Sequence, residues 1–253
     1  MTFHPEPSPI GRIVIPETLP PRFALFYTTS DFPGRLDETS VAKIAGVIRE
    51  RFGIDAALTT CVQIHGTAAR QARPNNGQNA PAAARWRECD PCDALWSSEK
   101  QTALGIKVAD CLPVTLIDPT GFVIANIHSG WRGAARRIVS ESLAALRSQT
   151  EFNPAAASAW LGPSIRVCCF EVGEEVVDEL RAAYGDVDPF VDGARGRKPH
   201  VDLTALTRAL LHEAGIAASC IFDSELCTRC EGSIFHSYRR DGRGGRNLAV
   251  VAQ

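Results

Sequence analysis

The chain has 253 residues, of which 45% are hydrophobic, enough for one large domain or two small ones to fold around a substantial core without disulfide staples. Charged residues make up 22% and balance to a formal net charge of -2, which excludes the strong basic field of a nucleic-acid or anionic-membrane binder. Nine cysteines, an odd number with no apolar leader before them, read as reduced thiols of a cytoplasmic protein rather than a disulfide framework.

In chain order, residues 1–20 carry Pro5, Pro7 and Pro9 close together and are expected to be a flexible N-terminal arm, with residues 21–253 as a single metal-dependent catalytic domain. Phe23 to Thr28 predicts a strand, and Val41, Ile44, Ala45 and Ile48 follow helical spacing until Gly53 ends the helix. Leu58 to His65 is a β-branched run that predicts another strand. Arg73 to Ala84, rich in Pro, Asn, Gly and Ala, predicts a mobile loop.

Ala103–Val108, Leu112–Asp118 and Phe122–His128 predict three strands, the last two joined as a hairpin through Pro119, Thr120 and Gly121. Beyond Gly133, the positions Ala135, Ile138, Val139, Leu143 and Leu146 mark one amphipathic helix with Arg136, Arg137, Glu141 and Arg147 on its polar face. A strand through Ala159 to Leu161 and helices over Gly173–Tyr184 and Leu203–Ala214 follow, the last capped by Asp202 and ended by Gly215. Asp186 to Pro199 predicts a surface excursion. Strands that arrive both as a hairpin and between helices imply an α+β fold: mixed β-sheets layered with helices on the outside, in a single domain.

Three short segments carry soft or borderline metal ligands: Gln63-Ile64-His65-Gly66, Ala109-Asp110-Cys111-Leu112-Pro113 and His128-Ser129-Gly130-Trp131-Arg132-Gly133. If Asp118 and Phe122 pair across the turn, Cys111 falls opposite Ser129, which makes Cys111 and His128 near neighbours. His65, at the end of another strand, is then a third candidate ligand. Two imidazoles and one thiolate leave a tetrahedral position open, the pattern of a catalytic zinc, and Zn²⁺ lowers the pKa of water there to roughly 7. The competing reading of the same residues is a hydrogen-bonded surface histidine and a cysteine packed as a small hydrophobe. Gly130 and Gly133 bracket Trp131-Arg132 where a strand meets a helix, a place where backbone amides and Arg132 can receive an anion. The bland alternative there is a tight turn with Trp131 in the core and Arg132 solvated.

These segments, together with Gly162-Pro163, Cys168-Cys169-Phe170-Glu171-Val172-Gly173, Cys227-Thr228 and Ser237-Tyr238-Arg239-Arg240-Asp241-Gly242-Arg243, resemble the laccase-domain purine nucleoside phosphorylase family, also called polyphenol oxidases. The resemblance runs from about Leu58 to the C-terminus. It implies a metal held by His65, Cys111 and His128, with Zn²⁺ the expected ion and Cu²⁺ the alternative. It further implies purine nucleoside phosphorolysis, with adenosine deamination and methylthioadenosine phosphorolysis as related activities. Where the family shows a Ser-Thr-Arg segment followed by glycines, this chain reads Thr28-Thr29-Ser30-Asp31-Phe32-Pro33-Gly34-Arg35; Asp31 there would repel phosphate unless Arg35 folded back.

Arg132, Arg239 and Arg243 are the candidate substrate-binding residues, on the ground that guanidinium groups clamp phosphate or a ribose-bearing anion. The expected partners are a small nucleoside and phosphate, with neither nucleic acid nor membrane, in a monomer or homodimer. Two Cys-x-x-Cys pairs, Cys89/Cys92 and Cys227/Cys230, lie too far apart in the chain for a compact zinc ribbon and are read as reduced cysteines in loops. Two other chemistries stay open for His65, Cys111 and His128. One is a metal-independent Cys-His hydrolase of a peptidoglycan precursor; the other is a copper-dependent phenol oxidase, for which the axial methionine is wanting because Met1 stands alone.

Overall fold

The computed structural model describes residues 2–32, 34–73, 86–193 and 198–253. The mobile loop expected over Arg73 to Ala84 falls, but for Arg73, outside the described residues, as do residues 194–197 of the excursion expected over Asp186 to Pro199.

A seven-stranded sheet runs in the order β1 (Phe3–Ser8), β2 (Gly11–Pro16), β3 (Ala24–Thr28), β15 (Asn247–Ala252), β8 (Thr102–Val108), β4 (Ala57–Cys61) and β6 (Arg87–Cys89). A six-stranded sheet runs β14 (Ile221–Asp223), β11 (Ser158–Leu161), β9 (Leu112–Asp118), β10 (Val123–Ser129), β7 (Ala94–Ser97) and β5 (Ala69–Gln71). Both sheets mix parallel and antiparallel pairs. The two-stranded pair β12 (Val191–Asp192) and β13 (His200–Val201) stands apart from them.

Side-chain alternation along the strands sorts the core into layers. Leu25, Tyr27, Leu104, Ile106, Ala249 and Val251 of the first sheet meet Leu95, Ile117, Ile124 and Trp160 of the second, so the sheets pack face to face. Asn126 joins them, its Nδ2 donating to the carbonyls of Leu104 and Ala249 at 3.2 and 3.0 Å. The opposite face of the first sheet, with Phe26, Leu58, Leu248 and Val250, is covered by Val41, Ile44 and Ile48 of α1 (Glu38–Phe52). The opposite face of the second, with Val114, Leu116, Ala125 and Ile127, is covered by α3 (Ile138–Gln149) and by Leu211 of α5 (Leu203–Glu213). Each fully buried Leu or Ile in these layers contributes about 1.5–3 kcal/mol by leaving water. The layered α/β architecture, with mixed sheets inside and helices outside in one domain, is the fold the sequence implies.

Three local expectations are revised. Residues 3–16, expected within a flexible arm, form the β1–β2 hairpin at the edge of the larger sheet, because Ile13, Val14 and Ile15 give the segment an apolar stretch to bury. The helix expected to run unbroken from Gly133 is split into α2 (Trp131–Ala135) and α3, where Arg137 adopts a left-handed φ of 67°. Third, Asp118 pairs with Val123 rather than Phe122. The Asp118 carboxylate accepts from the Thr120 amide (2.8 Å), the Thr120 hydroxyl (2.7 Å) and the Gly121 amide (3.2 Å), and Phe122 turns at φ 50°, so the loop takes one residue more.

Helix ends follow the sequence. Asp37 accepts from the Ser40 amide at 2.8 Å and Ser40 Oγ accepts from the Asp37 amide at 2.8 Å, a capping box, while Gly53 closes α1 at φ 69°. Asp202 caps α5 through the Ala205 amide at 2.8 Å. The remaining helices are α4 (Glu174–Tyr184) and α6 (Tyr238–Asp241). No helix among the described residues is long and apolar enough to cross a membrane.

Candidate metal centre

The one-residue change in hairpin register decides the site. With Leu112 opposite Ser129 and Pro113 opposite His128, Cys111 lies just past the ladder on the same face as His128. That face is the one shared with Ile124 and Ile117, so both donors look into the space between the sheets at its open end. The register expected from sequence would have put them on opposite faces.

His65 arrives from the loop after β4, held at a left-handed φ of 58° that a non-glycine residue adopts only when its surroundings impose it. Those surroundings are one carboxylate. Asp93, fully buried ahead of β7, accepts from the amides of Ile64 (3.2 Å), His65 (2.9 Å) and Gly66 (2.7 Å). The same carboxylate lies 2.8 Å from Nδ1 of His128. Burial works against ionisation of Asp93, but the His128 imidazole and these amides together hold its carboxyl below the usual range.

The donor atoms of His65, Cys111 and His128 all lie within 4.8 Å of one another, and the two imidazole rings meet edge to face with centroids 4.9 Å apart. Burial alone would raise the Cys111 thiol; the charge and hydrogen bonds of His128, with those of His65, outweigh it and bring the thiol down to about 6. His128 is 4% exposed, and against its desolvation the Cys111 thiolate and the Asp93 carboxylate push its pKa up to about 9. Gly130 packs on the pair: a Cβ there would sit 2.8 Å from Cys111 Sγ and 3.3 Å from His65 Cδ2. With Asp93 taking Nδ1, His128 presents Nε2 to the centre. A buried carboxylate orienting a histidine is the support that metal-binding imidazoles characteristically have, so the donors fit a soft or borderline divalent ion.

These donors sit in a cavity of about 750 Å³. Trp131, Ile165, Phe170 and Tyr238 supply its apolar wall, and Arg132, Arg239 and Arg246 line it as well. Arg132 stacks over Trp131 at 4.2 Å, and Arg239 is steadied by the Glu171 carbonyl at 2.9 Å. Arg243 is exposed and lies outside this lining, whereas Arg246, immediately before β15, belongs to it. Arg240 is engaged elsewhere, on Asp241 and on the carbonyls of Thr228 and Phe235.

Asp31 does not face the cavity. Arg12 from β2 grips its carboxylate at 2.8 and 3.1 Å and holds it down to about 2. Asp93 was not singled out from sequence, its signal being only an acidic residue entering an otherwise apolar strand, and Gly130, expected to open the backbone to an anion, instead packs on Cys111 and His65. The two Cys-x-x-Cys pairs remain apart: Cys92 meets Cys89 at 3.8 Å beside Cys61, and Cys230 meets Cys168 and Cys169 instead.

A family model described as multi-copper polyphenol oxidoreductase laccase matches residues 34–253. Adenosine deaminase RL5, from an unknown prokaryotic organism, is 38% identical over 162 residues, covering 63% of this chain and 61% of that protein. Purine nucleoside phosphorylase YlmD of Bacillus subtilis (strain 168) is 32% identical over 160 residues, covering 63% of this chain and 58% of that protein, so the matches span about six tenths of these relatives. The crystal structure of Bacillus licheniformis hypothetical protein YfiH superposes with a TM-score of 0.82 at 25% identity, covering 98% of this chain and 97% of that one.

Proposed function

The chain belongs to the family described as multi-copper polyphenol oxidoreductase laccase, and on that premise we propose that it is a purine nucleoside phosphorylase, with adenosine deaminase and methylthioadenosine phosphorylase activity in the same cavity. The observation that carries the proposal is the convergence of His65, Cys111 and His128 at a cavity that combines flat apolar walls with guanidinium groups. Relatives named purine nucleoside phosphorylase and adenosine deaminase support it.

In this reading, His65, Cys111 and His128 hold one Zn²⁺, with Cu²⁺ as the competing ion. The chemistry such an ion supplies is Lewis acidity at the reacting atoms. Phe170 and Trp131 give a purine flat surfaces to stack on. Arg132, Arg239 and Arg246 give phosphate and ribose oxygens charged donors. Asp93 keeps the His128 Nδ1 proton in place, so that imidazole stays oriented through turnover. Phosphorolysis exchanges the bond between the anomeric carbon and the purine nitrogen for one to a phosphate oxygen; deamination replaces the exocyclic amine with a water oxygen.

Incubation with adenosine, inosine and methylthioadenosine, with and without phosphate, while following free base and ammonia, tests the proposal. Phosphate-dependent release of base is the expected result. No base and no ammonia from any of the three overturns it.

A second reading is supported by the relay Cys111–His128–Asp93, which also suits a thiol hydrolase acting on a peptidoglycan precursor without metal. Hydrolysis by chelator-stripped protein, abolished by iodoacetamide at Cys111, would favour it. The phenol-oxidase reading has less behind it, because only His65 and His128 of the six histidines line the cavity, too few ligands for a copper cluster.

A further inference from the structure

Cys168 and Cys169 lie in the loop between β11 and α4, and Cys227 and Cys230 in the loop after β14. β11 and β14 are parallel neighbours, so both loops leave the same end of the sheet. Ser164 bridges to Cys227 in parallel fashion, its amide donating to the Leu226 carbonyl at 3.2 Å and its carbonyl accepting from the Thr228 amide at 3.0 Å. The four sulfurs therefore meet: Cys230 Sγ is 3.8 Å from that of Cys168 and 3.4 Å from that of Cys169, and all four lie within 4.8 Å of one another.

That spacing is the edge length of a metal–sulfur tetrahedron. Zn–S bonds of about 2.3 Å place neighbouring sulfurs about 3.8 Å apart. We propose that Cys168, Cys169, Cys227 and Cys230 form a second, structural metal site that binds Zn²⁺ through four thiolates, separate from the centre at His65, Cys111 and His128.

Two further observations agree. Backbone amides of Cys230, Arg166 and Arg229 point at the Cys227 sulfur, as suits a thiolate at the head of a Cys-x-x-Cys turn. The Arg229 guanidinium lies 3.5 Å from Cys169 Sγ, where it offsets part of the double negative charge that four thiolates leave around one dication. Binding sends the four thiol protons to solvent and changes no oxidation state.

The position gives the site a purpose. Ile165 and Phe170, on the first loop, line the cavity. Thr228, on the second, donates its hydroxyl to Asp110 at 2.7 Å, and the Ile165 amide donates to the Asp110 carbonyl at 2.9 Å. Asp110 precedes Cys111 and is held at a left-handed φ of 87°. A tetrathiolate clasp would brace both loops behind that strained residue.

The test reads metal, not turnover, so its outcome is independent of the nucleoside chemistry. In a His65→Ala/His128→Ala protein purified from zinc-supplemented cells without chelator, about one zinc per chain should remain, and X-ray absorption should show a sulfur-only shell at about 2.3 Å. Adding Cys168→Ser/Cys230→Ser, both exposed positions, should take it below about a tenth of a zinc per chain. Should either variant not fold, the unmodified protein decides: about two zinc ions per chain, and intense sulfur-to-cobalt charge-transfer bands on Co²⁺ replacement, are expected. Absence of metal beyond the first centre, nitrogen or oxygen in the shell of the His65→Ala/His128→Ala protein, or disulfides among these four cysteines in the isolated protein would overturn the proposal.

Discussion

The carboxylate of Asp93 serves His128 and His65 at once: it meets Nδ1 of the first at 2.8 Å and accepts the backbone amide of the second at 2.9 Å. One buried charge therefore sets both the orientation of an imidazole and the left-handed turn that presents the other. Replacement of Asp93 by Asn keeps the size of the side chain and removes the charge. Metal affinity should fall about 10- to 100-fold, as for other carboxylates behind a histidine ligand. Chelator competition measures it, and an unchanged affinity would mean that Asp93 is only a turn residue.

Gly130→Ala separates the site from the fold. Gly130 has φ -76° and ψ 166°, which alanine adopts without strain, so the substitution acts through its Cβ, whose nearest neighbours are Cys111 and His65. Metal affinity is expected to drop at least about tenfold while stability changes by less than about 1 kcal/mol. Thermal melting of the metal-free protein beside a metal titration would show this; equal losses in both would argue against it.

Cys111 should be reactive at unusually low pH in chelator-stripped protein. Its folded pKa of about 6 lies below the ordinary value of 9.0, so the thiolate is present above about pH 6 and is lost as pH falls through that value. Iodoacetamide labelling against pH should give a midpoint near there, and His128→Ala should move the midpoint upward. A midpoint near the ordinary thiol value in the unsubstituted chain would contradict the ion-pair picture.

Two arginines three residues apart should behave differently. Arg246 lines the cavity and Arg243 does not, so Arg246→Ala should raise KM for phosphate about tenfold, the loss of one charged contact worth ~1.4 kcal/mol. Arg243→Ala should leave the kinetics within about twofold. Steady-state kinetics in phosphate compares them, and a larger effect at Arg243 would reverse the assignment.

Much of the architecture was legible because it rests on local rules. The β-rich runs Leu112–Asp118 and Phe122–His128, helical spacing from Val41 to Ile48, and the caps Asp37, Gly53 and Asp202 depend on residues close in the chain. Asp37 was nonetheless overlooked, because its partner Ser40 lacks the acidic or amide side chain usual in a capping box. The nearness of Cys111 to His128 was also legible, since a hairpin brings its own ends together.

What the chain alone determined is which residues have donor chemistry and, over much of its length though not in residues 3–16, which segments are strands or helices. What only the tertiary structure decided is which of those residues meet. The hairpin register turned on how many turn residues the Asp118 carboxylate gathers, and that single residue places Cys111 and His128 on one face. Asp93 reaches His65 and His128 because β7 pairs with β10, and the four sulfurs converge because β11 lies beside β14. Strand order is set by burial summed over whole sheets, which no short stretch of residues encodes.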